Sequence, residues 1–314
     1  MGDIDFSLNI SKKIWEDKIM KRLALLLAAM GIVTVGAMAE APKLEVTHFN
    51  QEIEIENESS GPDLDSIFFG NTVGLKYGNY TFGVTGGKFW SYDGHGGGLD
   101  STNARLQIDV WKKVAENFKI GYRLRAQDEY DRHYVRWDYS NDWFWSSGDV
   151  WYEATNQDGN AGKTDWIKTE VFPFGVKFGE LKIGYFLNYN FTVGNADVVT
   201  NNDIKAGQVD EYVEHQIRAY FPLYKGEKLT VNFEGRFTLS ADYGFEGKEP
   251  AYRHYDEFGR NRLYIKPSYK VSDALTVYGY YGYEFREWKN ENEFHANLDR
   301  ENYTDFGIGW TYNF

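Results

Sequence analysis

The chain has no cysteine and only six prolines in 314 residues. Without cysteine there is no disulfide framework, no Cys-ligated zinc site and no thiol nucleophile. Long apolar runs are also missing apart from one segment near the amino end, which excludes a bundle of membrane-spanning helices. Basic residues are too few to balance the acidic ones, 34 against 47, and the net charge of −13 argues against nucleic-acid binding.

Aromatic residues and glycine are abundant, with 24 Tyr, 22 Phe, 10 Trp and 32 Gly. Aromatic side chains favour strands, and apolar residues alternate with polar ones along most of the chain. From Leu181 to Val193 every second residue is apolar without interruption. The alternating runs extend over about 10–13 residues, which is long enough to cross a bilayer at a tilt. The sequence therefore predicts an all-β protein.

The amino end has the pattern of a secretory signal peptide. Met20, Lys21 and Arg22 form a basic start, residues 23–35 form a short apolar run, and small residues lead to Ala39. We expect residues 20–39 to be the signal peptide, with cleavage before Glu40. Residues 1–19 are then an extended n-region of the signal peptide or the result of a start codon assigned too early. A membrane anchor is the alternative, but the apolar run is too short for one.

Connections between the alternating runs differ in length at the two ends. Gly78-Asn79 and Gly179-Glu180 fit two-residue hairpin turns of type II′. The long polar segments are residues 91–101, 130–164, 194–208, 244–257 and 290–301. Short turns at one end and long loops at the other predict that residues 40–314 form a transmembrane up-and-down antiparallel β-barrel of about twelve strands, with short periplasmic turns and long extracellular loops. A soluble β-sandwich is the alternative, but its strands are usually shorter.

Several strands contain irregular positions. Pro173, Pro222 and Pro267 fall inside predicted strands, where each removes a ladder hydrogen bond, so we expect β-bulges there. The alternation also shifts in the first strand, which predicts another bulge. Trp166, Phe172 and Phe174 share one parity, and we expect all three to face lipid.

The chain ends on Gly309-Trp310-Thr311-Tyr312-Asn313-Phe314. This end, together with the signal peptide and the amphipathic strands, resembles Gram-negative outer-membrane barrels. The resemblance implies location in the outer membrane, contact with its lipid, and recognition of Phe314 by the barrel-assembly machinery. Residues 262–270 and 303–310 look similar to strands of the oligogalacturonate-specific porin family, whose members are small channels for acidic oligosaccharides.

If the apolar parity faces lipid, the other parity faces the lumen, where basic residues outnumber acidic ones. Folding each hairpin about its turn pairs Asp109 with Arg123, and the same procedure pairs Arg218 with Glu234 and Arg262 with Glu284. Arginine keeps its charge and binds carboxylates through two parallel hydrogen bonds, so inward arginines are candidates for pore-lining and anion binding. These candidates are Arg105, Arg125, Arg236, Arg260, Arg262 and Arg286.

Inward aromatic residues form two further groups of candidates. Tyr212, Tyr264 and Tyr280 offer flat faces on which sugar rings can stack, although they fit equally well as bulky side chains that narrow the bore. The segment 130–164 is rich in tryptophan, and we expect it to be a loop. Trp143, Trp145 and Trp151 in this loop are candidates for a constriction or for ligand binding at the mouth, and a hairpin that extends the wall is the alternative.

We therefore predict a diffusion channel for small hydrophilic solutes that favours anions such as acidic oligosaccharides. A non-selective general porin with a charge-balanced lumen is one alternative. A barrel hydrolase would use His133 with Asp131, or His254 with Asp256, at the loop end. An adhesin would use the tryptophan-rich loop. We expect no enzymatic activity, and the spacing of acids and histidines suggests no metal and no cofactor.

Overall fold

The computed structural model describes residues 42–57, 63–155, 165–193, 209–245, 248–256, 258–286 and 301–314. The predicted signal peptide at 20–39 and the predicted loop at 194–208 lie outside the described residues. Within those ranges, no helix is long and apolar enough to cross a membrane. The described chain is built from strands, as the alternation of apolar and polar residues predicts.

Fifteen strands are present in these ranges. They are β1 Glu45–Asn57, β2 Leu64–Tyr77, β3 Tyr80–Asp93, β4 Gly98–Ala115, β5 Phe118–Ala126, β6 Tyr130–Ser140, β7 Phe144–Thr155, β8 Asp165–Phe178, β9 Leu181–Val193, β10 Val209–Lys225, β11 Leu229–Phe245, β12 Lys248–Asp256, β13 Arg260–Lys270, β14 Leu275–Arg286 and β15 Glu301–Asn313.

The strands form one closed antiparallel barrel. Consecutive strands pair with each other, except β12 with β13, and β1 pairs with β15. Strands β12 and β13 pair with successive parts of β11, so together they occupy one position in the wall. The wall therefore has fourteen strand positions instead of the twelve expected. The two additional strands form one hairpin.

The additional hairpin is β6–β7, which lies inside the segment expected to be a long loop. Both strands pair with neighbours on each side and form full members of the wall. Their connection, Asn141 to Trp143, is short and lies at the same end as the turn at Gly179. The sequence signal was weak because β6 has charged residues on both parities, such as Asp131 and Arg132.

Two tight turns have the predicted geometry. The backbone φ angle is 56° at Gly78 and 62° at Gly179. Phe258 is the only non-glycine residue with positive φ in the described part of the chain. The second residues of the two turns, Asn79 and Glu180, therefore have negative φ angles. A positive φ at the first position alone is the geometry of type II′, which matches the right-handed twist of the flanking strands.

The two faces of the wall have opposite character. Apolar residues on the outer face are exposed, as at Ile308, which is 48% exposed, and at Phe178, which is 65% exposed. Charged residues on the inner face are buried, and Glu284 is only 2% exposed. This arrangement is the reverse of that in a water-soluble protein. It agrees with the prediction that apolar parity faces outward and polar parity faces inward.

Bulges occur at most of the expected positions. The register of β1 against β2 shifts between Val46 and His48, as the change in alternation predicts. Shifts also occur beside Pro173, in the pairing of β8 with β9, and beside Pro222, in the pairing of β10 with β11. The expected bulge at Pro267 is wrong, because this residue lies opposite Val231 without a shift in register.

The bulge beside Pro173 changes which side chains face the lumen. Residues on its two sides belong to opposite parities, so Phe174 lies outside while Trp166 and Phe172 lie inside. The ring of Phe172 packs 4.8 Å from that of Trp145 in the interior. The expectation that Trp166 and Phe172 face lipid is therefore wrong, because one extra residue in a strand reverses the alternation beyond it.

Candidate functional site in the barrel lumen

Strands β4 to β7 contribute a network of ion pairs to the inner wall. Arg123 Nε lies 2.7 Å from Asp109 Oδ1, which confirms the predicted pair, and Arg136 Nη1 lies 2.6 Å from the same oxygen. Arg136 also donates through Nε to Asp149 Oδ1 at 2.7 Å. These partners come from four strands, so the network stiffens the wall and leaves these guanidinium groups largely neutralised.

Two inward arginines of the same region have amide partners instead of carboxylates. Arg105 Nε donates to Gln127 Oε1 at 3.2 Å, and its guanidinium carbon lies 4.6 Å from the centre of the Phe68 ring. Arg125 Nε donates to Gln107 Oε1 at 2.9 Å. Among the described residues, no carboxylate oxygen lies within 4 Å of either guanidinium group. Each therefore presents an uncompensated positive charge to the lumen.

A second group of arginines lies on β10, β11 and β13. Arg218 lies opposite Arg236, and Tyr220 lies opposite Glu234. The predicted pairing of Arg218 with Glu234 is therefore wrong. The cause is the register of the hairpin from its turn onward, where Lys225 lies opposite Thr230; the bulge beside Pro222 shifts this register by only one residue.

The register leaves Arg218 without an acidic partner in the described part of the chain. Its Nε donates to Gln216 Oε1 at 2.7 Å, and its guanidinium carbon lies 3.4 Å from the centre of the Phe186 ring. Arg236 differs, because its Nε lies 2.6 Å from Glu234 Oε1 on its own strand. Arg236 was expected to face a non-acidic partner. Its cross-strand partners, Arg218 and Arg262, are indeed not acidic, but Glu234 on its own strand neutralises its charge.

Three arginines surround the buried carboxylate of Glu284. Arg262 Nε lies 2.6 Å from Glu284 Oε2, which confirms the predicted pair, and Arg260 Nε lies 3.0 Å from Oε1. Arg286 donates to the same carboxylate. Arg260 also reaches the buried Glu214 at 3.0 Å. These three candidates are thus held by ion pairs, and the group carries more positive than negative charge.

Two of the cavities in the lumen differ in character. One has a volume of about 450 Å³ and is lined by Lys168, Arg218, Arg236, Arg260 and Arg262 together with acids and amides such as Asn188. The other has a volume of about 730 Å³, and aromatic side chains including Trp145 and Tyr220 line it near the short turns. A polar and largely basic cavity thus lies in the half of the bore nearer the long connections.

Two of the three candidate tyrosines, Tyr264 and Tyr280, donate hydrogen bonds to carboxylates. Tyr264 is buried, its hydroxyl donates to Asp305 Oδ2 at 2.8 Å, and Arg236 lies 4.8 Å above its ring. Tyr280 donates to Glu54 Oε1 at 2.8 Å. Tyr212 lines the basic cavity. Of the three, Tyr212 has the position best suited to contact a solute in that cavity.

Two of the three candidate tryptophans lie in the wall, and the third lies in a short turn. Trp143 lies in the short turn between β6 and β7 and is 64% exposed. Trp145 and Trp151 point into the interior from β7, where Trp151 stacks on Tyr134 with ring centres 4.9 Å apart. The predicted loop constriction at these residues is therefore wrong. Trp145 narrows the lumen from the wall itself.

Sequence reasoning missed several interior charges in the same region. Arg132 pairs with Glu153, and Lys168 Nζ lies 2.8 Å from Glu153 Oε1. Arg132, Arg136 and Glu153 were missed because residues 130–164 are expected to be a loop. Lys168 was missed because it shares the parity of Trp166 and Phe172, which the bulge beside Pro173 places inside. A signal was present, because every second residue from 130 to 138 is tyrosine, arginine or aspartate, the pattern of an inward strand face.

The histidine expected in a hydrolase does not face the lumen. His133 lies on the outer face of β6, on the same parity as Val135, which is 66% exposed. Its Nδ1 lies 2.7 Å from the hydroxyl of Tyr122. The side chains of His254 and Asp256 lie outside the described residues. The described chain therefore provides no support for a catalytic site at His133.

No protein-family model matches the chain, and no curated protein matches it. Solved structures similar in shape include a bacterial polysaccharide outer membrane secretin, with 11% identity, a TM-score of 0.46, and coverage of 86% of this chain and 98% of that chain. An anion-selective porin from Comamonas acidovorans has 12% identity, a TM-score of 0.43, and coverage of 87% and 100%. An outer membrane protein of Vibrio cholerae with one loop deleted has 11% identity, a TM-score of 0.42, and coverage of 88% and 100%. Similarity at this level assigns no solute to the chain.

Proposed function

We propose that the chain is a diffusion channel in the outer membrane of a Gram-negative-type bacterium. Its apolar outer face would contact lipid, and its polar lumen would pass small hydrophilic solutes. A closed barrel leaves no unpaired strand edge in the hydrocarbon region, which supports a membrane location for so apolar an exterior. Assembly would use the carboxyl-terminal strand that ends on Phe314. No nucleic acid or cofactor is part of this proposal.

The observation that carries an anion preference is the set of inward arginines without carboxylate partners. Arg105, Arg125 and Arg218 each bond to a glutamine side chain, so their charge is not cancelled by a neighbour in the described chain. A guanidinium stays charged at all physiological pH values. Inside a bore with low-dielectric walls such charges are screened less than on an open surface. Anions would therefore enter the lumen more readily than cations.

The basic cavity supports acidic oligosaccharides as the solute class. Its volume of about 450 Å³ lies within the range of about 300–1,000 Å³ that is typical of sites for small organic ligands. Arg218 and Lys168 would attract carboxylates, Asn188 would bond to hydroxyl groups, and Tyr212 would supply a flat apolar face. A sugar acid carries all three complementary features. A general porin would lack such an arrangement of charge and aromatic surface.

The test is ion selectivity, measured as the reversal potential of channels in a planar bilayer under a salt gradient. The native channel should prefer anions. Arg125→Ala and Arg218→Ala each remove one uncompensated charge from the lumen and should lower that preference. Lys112→Ala is the control, because Lys112 carries the same charge on the outer face beside Tyr80 and its loss should leave the reversal potential unchanged.

Three results would contradict the proposal at different levels. A native channel that prefers cations would exclude the anion preference while leaving a channel intact. Equal selectivity in the native protein and in both lumen variants would favour a general porin. Absence of any conductance from correctly folded protein would exclude the channel itself and would favour an adhesin or another role.

A further inference from the structure

Three carboxylates converge on the inner wall, separated from Arg262 by the side chain of Tyr264. Glu54 and Glu56 lie on β1, and Asp305 lies on β15 directly opposite Glu56. One oxygen atom of each carboxylate lies within 4.8 Å of the corresponding atoms of the other two. Sequence spacing gave no metal site, because residues about 250 positions apart meet only when the barrel closes. We call these three residues the acidic triad.

The acidic triad lacks the basic partners that the other interior acids have. Within the described ranges, no lysine, arginine or histidine nitrogen lies within 4 Å of its carboxylates, whereas Glu284 has three arginines. Each carboxylate instead accepts one tyrosine hydroxyl. Tyr280 donates to Glu54 at 2.8 Å, Tyr303 to Glu56 at 2.7 Å and Tyr264 to Asp305 at 2.8 Å. Neutral donors reduce the repulsion among three adjacent carboxylates only in part.

Asp305 provides a separate indication of a ligand. Its side chain is only 6% exposed, and its Oδ1 atom has no hydrogen-bond partner among the described residues. A buried polar atom without a partner costs about 1–3 kcal/mol, and more when it is charged, so such atoms usually have an ordered water or ion that satisfies them. Glu54 and Glu56 are only partly buried, which leaves the triad accessible from the lumen.

We propose that the acidic triad binds a divalent cation of the Ca²⁺ class. Calcium prefers oxygen ligands at about 2.3–2.6 Å, so two oxygens bound to one ion are at most about 5 Å apart. The spacing of the triad meets this limit without rearrangement. The ion would satisfy Asp305 Oδ1 and neutralise the acidic part of the wall. Magnesium fits less well, because it needs near-ideal octahedral geometry and keeps several of its waters.

The test is calcium binding by the full chain, refolded in detergent and measured by isothermal titration calorimetry and by the thermal unfolding midpoint. The native protein should bind Ca²⁺, and its midpoint should rise with Ca²⁺ and fall again with a chelator. Asp305→Asn keeps the hydrogen bond to Tyr264 but removes a charge, and it should weaken binding at least tenfold. Glu54→Gln should act in the same direction, and it tests the proposal if Asp305→Asn does not fold.

A control is needed because a second acidic group could bind calcium. Asp63, Asp93 and His95 also lie close together, on the exposed surface near the connection between β3 and β4. The double variant Asp63→Asn/Asp93→Asn removes this group and should leave the binding described above intact. Native protein that binds no Ca²⁺, or triad variants that bind as tightly as the native protein, would overturn the proposal. The measurement involves no permeation, so its failure would say nothing against a channel.

Discussion

Glu284 and Arg262 face each other on β14 and β13, with Arg262 Nε 2.6 Å from Glu284 Oε2. The same carboxylate also contacts Arg260 and Arg286, so its loss would leave three guanidinium groups close together. Removing one member of a buried pair costs about 3–5 kcal/mol. We therefore expect Glu284→Gln to destabilise the barrel by about that amount, measured by chemical unfolding in detergent followed by circular dichroism.

The matched control is an ion pair at the surface. Glu180 pairs with Lys225 near the short turns, and both side chains are more than half exposed. Exposed pairs contribute about 0–1 kcal/mol, so Glu180→Gln should change the unfolding free energy little. If the two variants lost equal stability, the burial of Glu284 would not be the source of its effect.

The position of the β6–β7 hairpin predicts where its turn is accessible. The turn from Asn141 to Trp143 lies at the same end of the barrel as Gly179-Glu180, opposite the connection at residues 94–97. An epitope inserted after Asp142 should not be labelled by antibody on intact cells and should be labelled after the outer membrane is opened. An epitope at Gly96 should be labelled on intact cells. Labelling of both sites on intact cells would instead support a long surface loop at residues 130–164.

Much of the fold was predictable from parity alone. In β9 the alternation from Leu181 to Val193 is unbroken, and the structure keeps these alternate residues on one face, while Phe186 points inward against Arg218. The pair Arg262–Glu284 was predictable for the same reason, because no bulge affects the register of its hairpin. The pair Asp109–Arg123 was also predicted correctly, although a one-residue bulge lies between it and its turn. A tight turn and a period of two are local properties, so one sequence is enough to fix them.

The errors share a different origin. The pairing of Arg218 with Glu234 was wrong because the register of the β10–β11 turn, where Lys225 lies opposite Thr230, cannot be read from the sequence. Proline indicates that a ladder bond is lost, yet Pro267 loses it without a bulge. The acidic triad was beyond reach for another reason, because β1 meets β15 only through closure of the barrel. Features that depend on register or closure are set by the packing of the whole wall.

Trp145 should restrict the flow of ions through the half of the lumen nearer the short turns. Its ring packs against Phe172 at 4.8 Å and lies 6.2 Å from Tyr220, which places it in the larger cavity. Trp145→Ala should raise the single-channel conductance in a planar bilayer, because a large side chain leaves the bore. Trp143→Ala is the control, since Trp143 is exposed in the turn. An equal rise in both variants would show that the effect does not arise from the constriction.

Two glycines allow Trp145 to lie flat against the inner wall. A Cβ atom built on Gly175 would lie 2.2 Å from Trp145 Cε2, and one on Gly184 would lie 2.5 Å from Cζ2. Introducing a side chain at such a close contact typically costs about 1–3 kcal/mol. We expect Gly175→Ala to lower the unfolding free energy by about this amount.

A double variant separates this steric effect from the intrinsic cost of alanine in the strand. If the contact with the indole is the cause, Gly175→Ala should cost little when Trp145→Ala is already present, so the two changes are not additive. Gly86→Ala serves as the control, because a Cβ at Gly86 would have no atom within 4 Å. Additive losses in the double variant, or an equal loss in Gly86→Ala, would mean that the glycine is needed for its backbone and not for the space beneath Trp145.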